Sequence, residues 1–252
     1  MKSPLRYPGG KTRAVKILSK YIPKDCKEIC SPFFGGGSFE LYLAAKGIKV
    51  HGYDNFKPLV SFWKSLGVPF RFWVDVNEIY QNMSKELFYL LQKSIMDETC
   101  EYKQGAMFYA LNRSSFSGST LSGGMSPNWV RFTKKSVEYI DSNEVCEMRN
   151  SNIFSVDLLP FEQSIQRHNC LIFADPPYYI NQSLYGNKGD MHKYFNHSLL
   201  ADILMKKSNF ILTYNDCPEV RELYKGCKFD VIEWAYGMNK SKKSNEIIIT
   251  NP

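Results

Sequence analysis

No apolar run in this chain approaches the roughly 20 residues that a membrane-spanning helix needs. The basic N-terminus, Met1 to Arg6, is followed by no long apolar stretch, which argues against a secretory signal. There is no internal repeat and no low-complexity segment. The cysteines form no framework: Cys26, Cys30, Cys100, Cys146, Cys170, Cys217 and Cys227 are odd in number, and their spacing fits no disulfide scaffold. Cys26 and Cys30 have no second pair and no nearby histidine to complete a zinc site. Structural thiols in a reducing compartment are the expectation. A G-x-G-x-x-G phosphate fingerprint is also lacking, which weakens a dinucleotide reading.

What is present suits a globular chain. Its 252 residues allow one sizeable core and a smaller insertion, and its 44% hydrophobic content is ordinary. The formal charge of +7 fits a polyanionic partner without demanding one. The basic residues are grouped. Arg113, Arg131, Lys134 and Lys135 share a central stretch, and Lys240, Lys242 and Lys243 lie near the C-terminus. A solvated basic surface is the plain alternative.

The texture changes along the chain. Residues 1–57 read as α/β structure. A Gly-rich turn, Pro8-Gly9-Gly10-Lys11, precedes a helix predicted over Thr12 to Tyr21, with Thr12 as its cap. A strand over Glu28 to Phe33 runs into Phe34-Gly35-Gly36-Gly37-Ser38. A helix over Phe39 to Lys46 closes at Gly47. A second strand, Lys49 to Tyr53, ends in Asp54. Residues from about 60 to 150 are aromatic and helical, then polar from Asn112 to Asn128. The run Ser114 to Gly124 buries little in this reading and is expected to be a mobile surface loop. α/β texture returns near 150. Cys170 to Ala174 is a continuous apolar strand, as at the centre of a covered sheet. Asn209 to Tyr214 is another, preceded by a helix over Ser198 to Lys206. Phe229 to Trp234 and Glu246 to Thr250 read as a closing pair.

Three motifs carry chemistry. The first is Ser31-Pro32-Phe33-Phe34-Gly35-Gly36-Gly37-Ser38, between strand and helix. Glycine there lets a ligand approach the backbone. Asp54 ends the next strand, where a carboxylate can accept from both ribose hydroxyls of a nucleoside. A structural glycine turn is the alternative. The second is Asp175-Pro176-Pro177-Tyr178 at the end of the buried strand. The two prolines remove two backbone donors and stiffen the turn. An Asp oxygen and a backbone carbonyl held together make a pocket for an NH2 group, and Tyr178 offers a face for stacking a base. A strand-terminating turn with a surface Tyr is the alternative. The third is Gly9-Gly10-Lys11, which in isolation reads as a loop with a solvated lysine.

In this order the motifs resemble those of the Dam-like (class alpha) DNA adenine-N6 methyltransferases: an N-terminal GGK, a cofactor glycine loop, a target-recognition insertion, then DPPY. The resemblance covers nearly the whole chain, including the ending Asn245 to Asn251. It implies a Rossmann-like methyltransferase sheet from residues 1–57 and 150–252, with a mainly helical target-recognition insertion over 58–149. It implies S-adenosylmethionine as cofactor, no metal, and double-stranded DNA as partner in the cytoplasm of a bacterium or an infected host. A separate cognate restriction endonuclease is a further partner it suggests. Tyr7 would pack on the cofactor, and Lys11 would hold its carboxylate. Phe34, Gly35 and Gly37 would line its pocket, Asp54 would take the ribose, and Asp157 the adenine ring. Asp175, Pro176, Pro177 and Tyr178 would handle the target base. Asn112 and Arg113 match a family pair in the DNA-reading region, joined by Asn128, Arg131, Lys134 and Lys135. The family often begins its glycine loop with Glu, and this chain has Ser31 there.

Two rivals share parts of this pattern. A protein-glutamine or RNA-adenine methyltransferase also acts on a planar NH2 group, but is not expected to carry the GGK segment or so large an insertion. A catalytically silent DNA-binding protein on the same fold would not be expected to keep Asp175 to Tyr178 intact.

Overall fold

A computed structural model describes residues 2–66, 69–129, 131–179, 195–235 and 243–251. Lys240 and Lys242 of the C-terminal basic group lie outside the described residues. One seven-stranded sheet organises the chain, built from β1 (Glu28–Ser31), β2 (Lys49–Asp54), β3 (Phe154–Leu158), β4 (Leu171–Ala174), β5 (Phe210–Asn215), β6 (Lys228–Ala235) and β7 (Lys243–Thr250). Their order is β3-β2-β1-β4-β5-β7-β6. The first five pair in parallel, while β7 runs antiparallel between β5 and β6. The closing pair predicted from sequence is thus a hairpin inserted with one arm against β5. The Rossmann-like α/β expectation is met.

The apolar runs of the inner strands follow from burial on both faces. Phe173, Ile211 and Ile248 belong to one core, with Ile29 and Val50. Their neighbours Ile172, Ala174, Leu212, Ile247 and Ile249 belong to the core on the other face. This is the period-2 alternation of a pleated strand.

The helices are α1 (Val15–Leu18), α2 (Ser38–Ala44), α3 (Lys57–Ser65), α4 (Pro69–Gln81), α5 (Lys85–Ser94), α6 (Glu101–Ser114), α7 (Lys134–Tyr139), α8 (Asn143–Asn150), α9 (Phe161–Gln166), α10 (His197–Leu204) and α11 (Pro218–Leu223). The predicted first helix is broken. Lys11–Arg13 and Ser19–Tyr21 are 3-10 turns on either side of the short α1. Thr12 caps nothing. Its hydroxyl bonds that of Ser38 at 3.0 Å, because the turn is shaped by docking on α2 and not by its own helical propensity.

α3 packs on β2, β3 and α6, and α4 and α5 pack on α6. Phe62, Phe72, Phe88, Phe108, Tyr109 and Phe132 in this helical region join the same core as α2 and one face of the sheet. The boundary expected at 57/58 falls inside α3. The Ser/Gly segment after α6 is tied down at several points. Ser114 and Ser115 are buried, Ser115 bridges Met125, and Gln92 Nε2 donates to the carbonyls of Thr120 and Gly123.

Candidate active site

β4 delivers Asp175 at its carboxyl end, beside the ends of β1 and β5, which flank it in the sheet. Asp175 Oδ1 receives two contacts. Lys11 Nζ lies 2.8 Å away, and Thr213 Oγ1 of β5 donates at 2.5 Å. Among the described residues no hydrogen bond reaches Oδ2. Lys11 is buried, and its ammonium also donates to Tyr178 Oη at 2.9 Å and to the Gly9 carbonyl at 3.2 Å. The resemblance implied a cofactor carboxylate as the partner of Lys11. In the fold Lys11 braces Asp175 and Tyr178 together. The chain just beyond is clamped as well. Asn215 Oδ1 accepts from the Tyr179 N–H at 2.8 Å, and its Nδ2 donates to the Tyr179 carbonyl at 3.0 Å.

The glycine loop lies beside this centre. Gly35 and Gly37 have φ of +49° and +62°, a region open to glycine at little cost. The groups that approach these glycines closely are the protein's own rings. A Cβ on Gly35 would sit 2.9 Å from the Tyr7 ring, and one on Gly37 would sit 2.6 Å from the Phe34 ring. Trp63 Nε1 donates to the Gly35 carbonyl at 3.0 Å. Tyr7, Phe34, Gly35 and Gly37 are therefore brought together.

Asp54 ends β2 and is buried. Its Oδ2 accepts from the Gly35 N–H and its Oδ1 from the Phe56 N–H, each at 3.0 Å. Burial pushes its carboxyl up to about 6, against the pull of those backbone donors. Asp157 pairs in register with Tyr53 on the neighbouring strand and meets Lys64 Nζ at 3.3 Å. The acids at 54 and 157 thus stand on adjacent strand ends, next to the Phe34 ring, which stacks over Phe154, and the Trp63 ring, which meets Phe154 edge-on. Among the described residues no group of three or more His, Cys, Asp or Glu side chains is placed to hold a metal.

The family model for "D12 class N6 adenine-specific DNA methyltransferase" matches residues 7–239. The chain belongs to this family. A curated relative, the DNA N-6-adenine-methyltransferase of Escherichia phage P1, is 23% identical over 246 residues. That alignment takes in 91% of this chain and 32% of the relative, so the chain spans about a third of the relative's length.

The residues that the sequence reading assigned to DNA contact fall into two groups. Asn112 is buried, and its amide group is fully used. Oδ1 accepts from the Arg6 N–H at 2.9 Å, while Nδ2 donates to the carbonyls of Arg6 at 2.8 Å and Gly118 at 3.3 Å. Arg113 donates to the carbonyls of Arg131 and Pro4 at 2.9 and 3.3 Å. Burial, then the guanidiniums of Arg113 and Arg131, pull Arg6 below its ordinary pKa, so three arginines crowd together here. Asn128, Arg131, Lys134 and Lys135 are exposed. Lys134 and Lys135 stand in the first turn of α7, which Thr133 and Ser136 cap reciprocally.

Sequence reasoning passed over four residues that the fold puts to use: Arg6, Glu40, Thr213 and Asn215. A signal existed for two. Glu40 sits between Phe39 and Leu41 in an apolar helix, and Thr213 sits in an apolar strand. Polar groups in buried runs need partners. No such signal marked Arg6 or Asn215.

Proposed function

We propose that this chain transfers a methyl group from S-adenosylmethionine to the N6 amino group of an adenine flipped out of duplex DNA, by direct in-line displacement. The observation that carries this reading is Asp175 on the rigid Pro176-Pro177 turn, held through Oδ1 by Lys11 and Thr213 with Tyr178 alongside. An aromatic amine is a poor nucleophile because its lone pair is delocalised into the ring. Asp175 and the Pro176 carbonyl each accept one N–H of the amine and draw the nitrogen toward tetrahedral geometry. Lys11 and Thr213 fix Asp175 so that its free oxygen needs no reorganisation at the moment of reaction. Tyr178 stacks the base. Bound S-adenosylmethionine supplies a methyl group on a cationic sulfur. Asp54, Asp157 and the rings of Tyr7 and Phe34 suit an adenosyl group: two acids for ribose hydroxyls and a ring amine, and aromatic faces beside a glycine loop. Asp54 keeps acceptor capacity for this, since each carboxylate oxygen can take a second donor. Extruding the base costs roughly a few kcal/mol, which cationic contacts to phosphates offset. The helical region 58–149 is read as the part that recognises the target. Asn112 and Arg113 shape it by pinning the N-terminal segment, while Asn128, Arg131, Lys134 and Lys135 meet the duplex.

The test is expression in a host that methylates no adenine, followed by sequencing that reads N6-methyladenine. A defined methylated motif is expected, and Asp175→Ala should abolish it while the protein stays folded. An unmethylated genome under the folded, expressed wild-type chain, or near wild-type methylation by Asp175→Ala, would sink the reading.

A further inference from the structure

Where the resemblance leads one to expect a glutamate at the end of β1, this chain has Ser31, and a glutamate returns from α2. The fully buried Ser31 donates its hydroxyl hydrogen to Glu40 Oε1 at 2.8 Å, and Glu40 is itself only 4% exposed. Among the described residues, the charged groups whose fields act on Glu40 are Lys11, from the N-terminal turn, and Asp175, from the end of β4. From β1 it meets the Ser31 hydroxyl, and Lys11 is bonded in turn to Tyr178. The methyl-transfer scheme uses Lys11, Asp175 and Tyr178 but gives this second acid no part. Burial, reinforced by Asp175, pushes Glu40 up to about 7, while its own backbone N–H, then Ser31 and Lys11, hold it down. Near neutral pH both forms are therefore within reach.

We propose that Glu40 is a charge-balancing, positioning residue of the methyl-transfer centre, held by Ser31 behind the Lys11–Asp175 pair, whose ionised form favours a cationic occupant over a neutral one. Lys11 and Asp175 cancel each other, so with Glu40 protonated the three groups sum to zero. A sulfonium adds one positive charge, which ionised Glu40 offsets, its proton passing to the buffer. S-adenosylhomocysteine has a neutral sulfur and makes no such demand. Glu40 thereby helps the centre tell the methyl donor from the spent product. This rests on the proposed use of S-adenosylmethionine.

The sign follows from linkage. A cation lowers the Glu40 pKa, so donor affinity rises with pH up to about 7 and then levels off, while affinity for the product does not rise through this group. Titration calorimetry of the full chain with both compounds, in buffers of different ionisation heat, reads affinity and proton release together. Comparison at about pH 5.5 and about pH 8 brackets the transition. A one-unit drop of the Glu40 pKa gives about a tenfold gain in donor affinity. Glu40→Gln keeps an acceptor for Ser31. It should lose about that tenfold preference for donor over product at the higher pH, change little at the lower pH, and lose the associated proton release. Titration of the donor's own amino group is common to both proteins and cancels in the difference. Ser31→Ala should move the midpoint of proton release upward, because it removes one of the bonds that favour the carboxylate. An unchanged preference and unchanged proton release in folded Glu40→Gln would overturn the proposal. So would an equal loss for both compounds, which marks a merely structural role. If Glu40→Gln does not fold, an unmoved midpoint in Ser31→Ala overturns it. Failure of the wild-type chain to bind either compound would overturn the proposed function, and this inference with it.

Discussion

Both oxygens of Asp54 accept backbone N–H groups, one from the glycine loop and one from the residue that opens α3. The carboxylate therefore shapes the loop as well as standing where a ribose is proposed to bind. Its pKa, about 6 against an ordinary 3.8, is raised in the fold. For an acid shifted upward, the stabilisation is complete below the unfolded value and is lost as pH rises through the folded one. Asp54→Asn lacks that titration but leaves one buried amide without its acceptor, at a cost of about 1–3 kcal/mol. The destabilisation by Asp54→Asn should thus shrink by up to roughly 3 kcal/mol between about pH 4 and about pH 8. Urea unfolding of both proteins at the two pH values measures it. A constant gap would mean that Asp54 titrates normally. Either outcome leaves the expectation that Asp54→Asn weakens cofactor binding, which the same protein preparations can be used to measure.

At the scale of elements, the N-terminal segment is locked onto the end of α6. Asn112 brackets Arg6 through both its N–H and its carbonyl, and Gly118 comes so close that a Cβ there would lie 1.8 Å from the Arg6 carbonyl oxygen. Gly118 also has φ of +78°, which a side chain makes unfavourable. Gly118→Ala should cost roughly 2–4 kcal/mol, and Asn112→Ala a similar amount through the buried hydrogen bonds it removes. Both should loosen residues 3–7, so that limited proteolysis cuts there first. Wild-type stability and resistance in Gly118→Ala would show that the close crossing is not maintained. This lock explains why the Ser/Gly run misleads when read by composition. Serine and glycine offer little to a hydrophobic core, yet buried hydroxyls, backbone carbonyls and one close backbone crossing hold the segment in place. The first helix misleads for the opposite reason. Ala14, Ile17, Leu18 and Tyr21 have helical spacing, but the turn at Lys11 to Arg13 docks on α2, and the same turn carries Lys11 to Asp175.

For the whole molecule, the charge of +7 becomes useful only where it is displayed. Lys134 and Lys135 stand exposed on α7, and the ion pair of Lys134 with Glu138, 3.8 Å apart on the surface, stabilises little. Lys134→Ala with Lys135→Ala should therefore leave unfolding unchanged. It should weaken binding to all duplexes alike and reduce the slope of log affinity against log salt by about 0.9 for each phosphate that is no longer neutralised. Fluorescence anisotropy with specific and unrelated duplexes over a salt series reads both effects. An unchanged slope would move the phosphate-binding role elsewhere. Arg113, with its guanidinium committed to two backbone carbonyls, is expected to weaken binding evenly across sequences when changed to Ala, in contrast to a base-reading arginine.

The amino-acid order alone determined the strands other than β3, the α/β class and the positions of the three motifs. Continuous apolar runs, turn residues and glycine spacing are local signals, and each is written within a few neighbouring residues. It also put Phe34, Gly35 and Gly37 in one turn, because a glycine turn after a strand carries its own geometry; that Tyr7 packs on Gly35 was decided by the fold. The partners were decided by the sheet. Its order sets β1 between β2 and β4, and β4 beside β5, so that Ser31, Asp175 and Thr213 end side by side. Only then does Lys11 meet Asp175, and Asn112 turn inward to Arg6. Those pairings join residues far apart in the chain, where no local periodicity specifies who meets whom; burial and the need of every buried polar group for a partner make the choice.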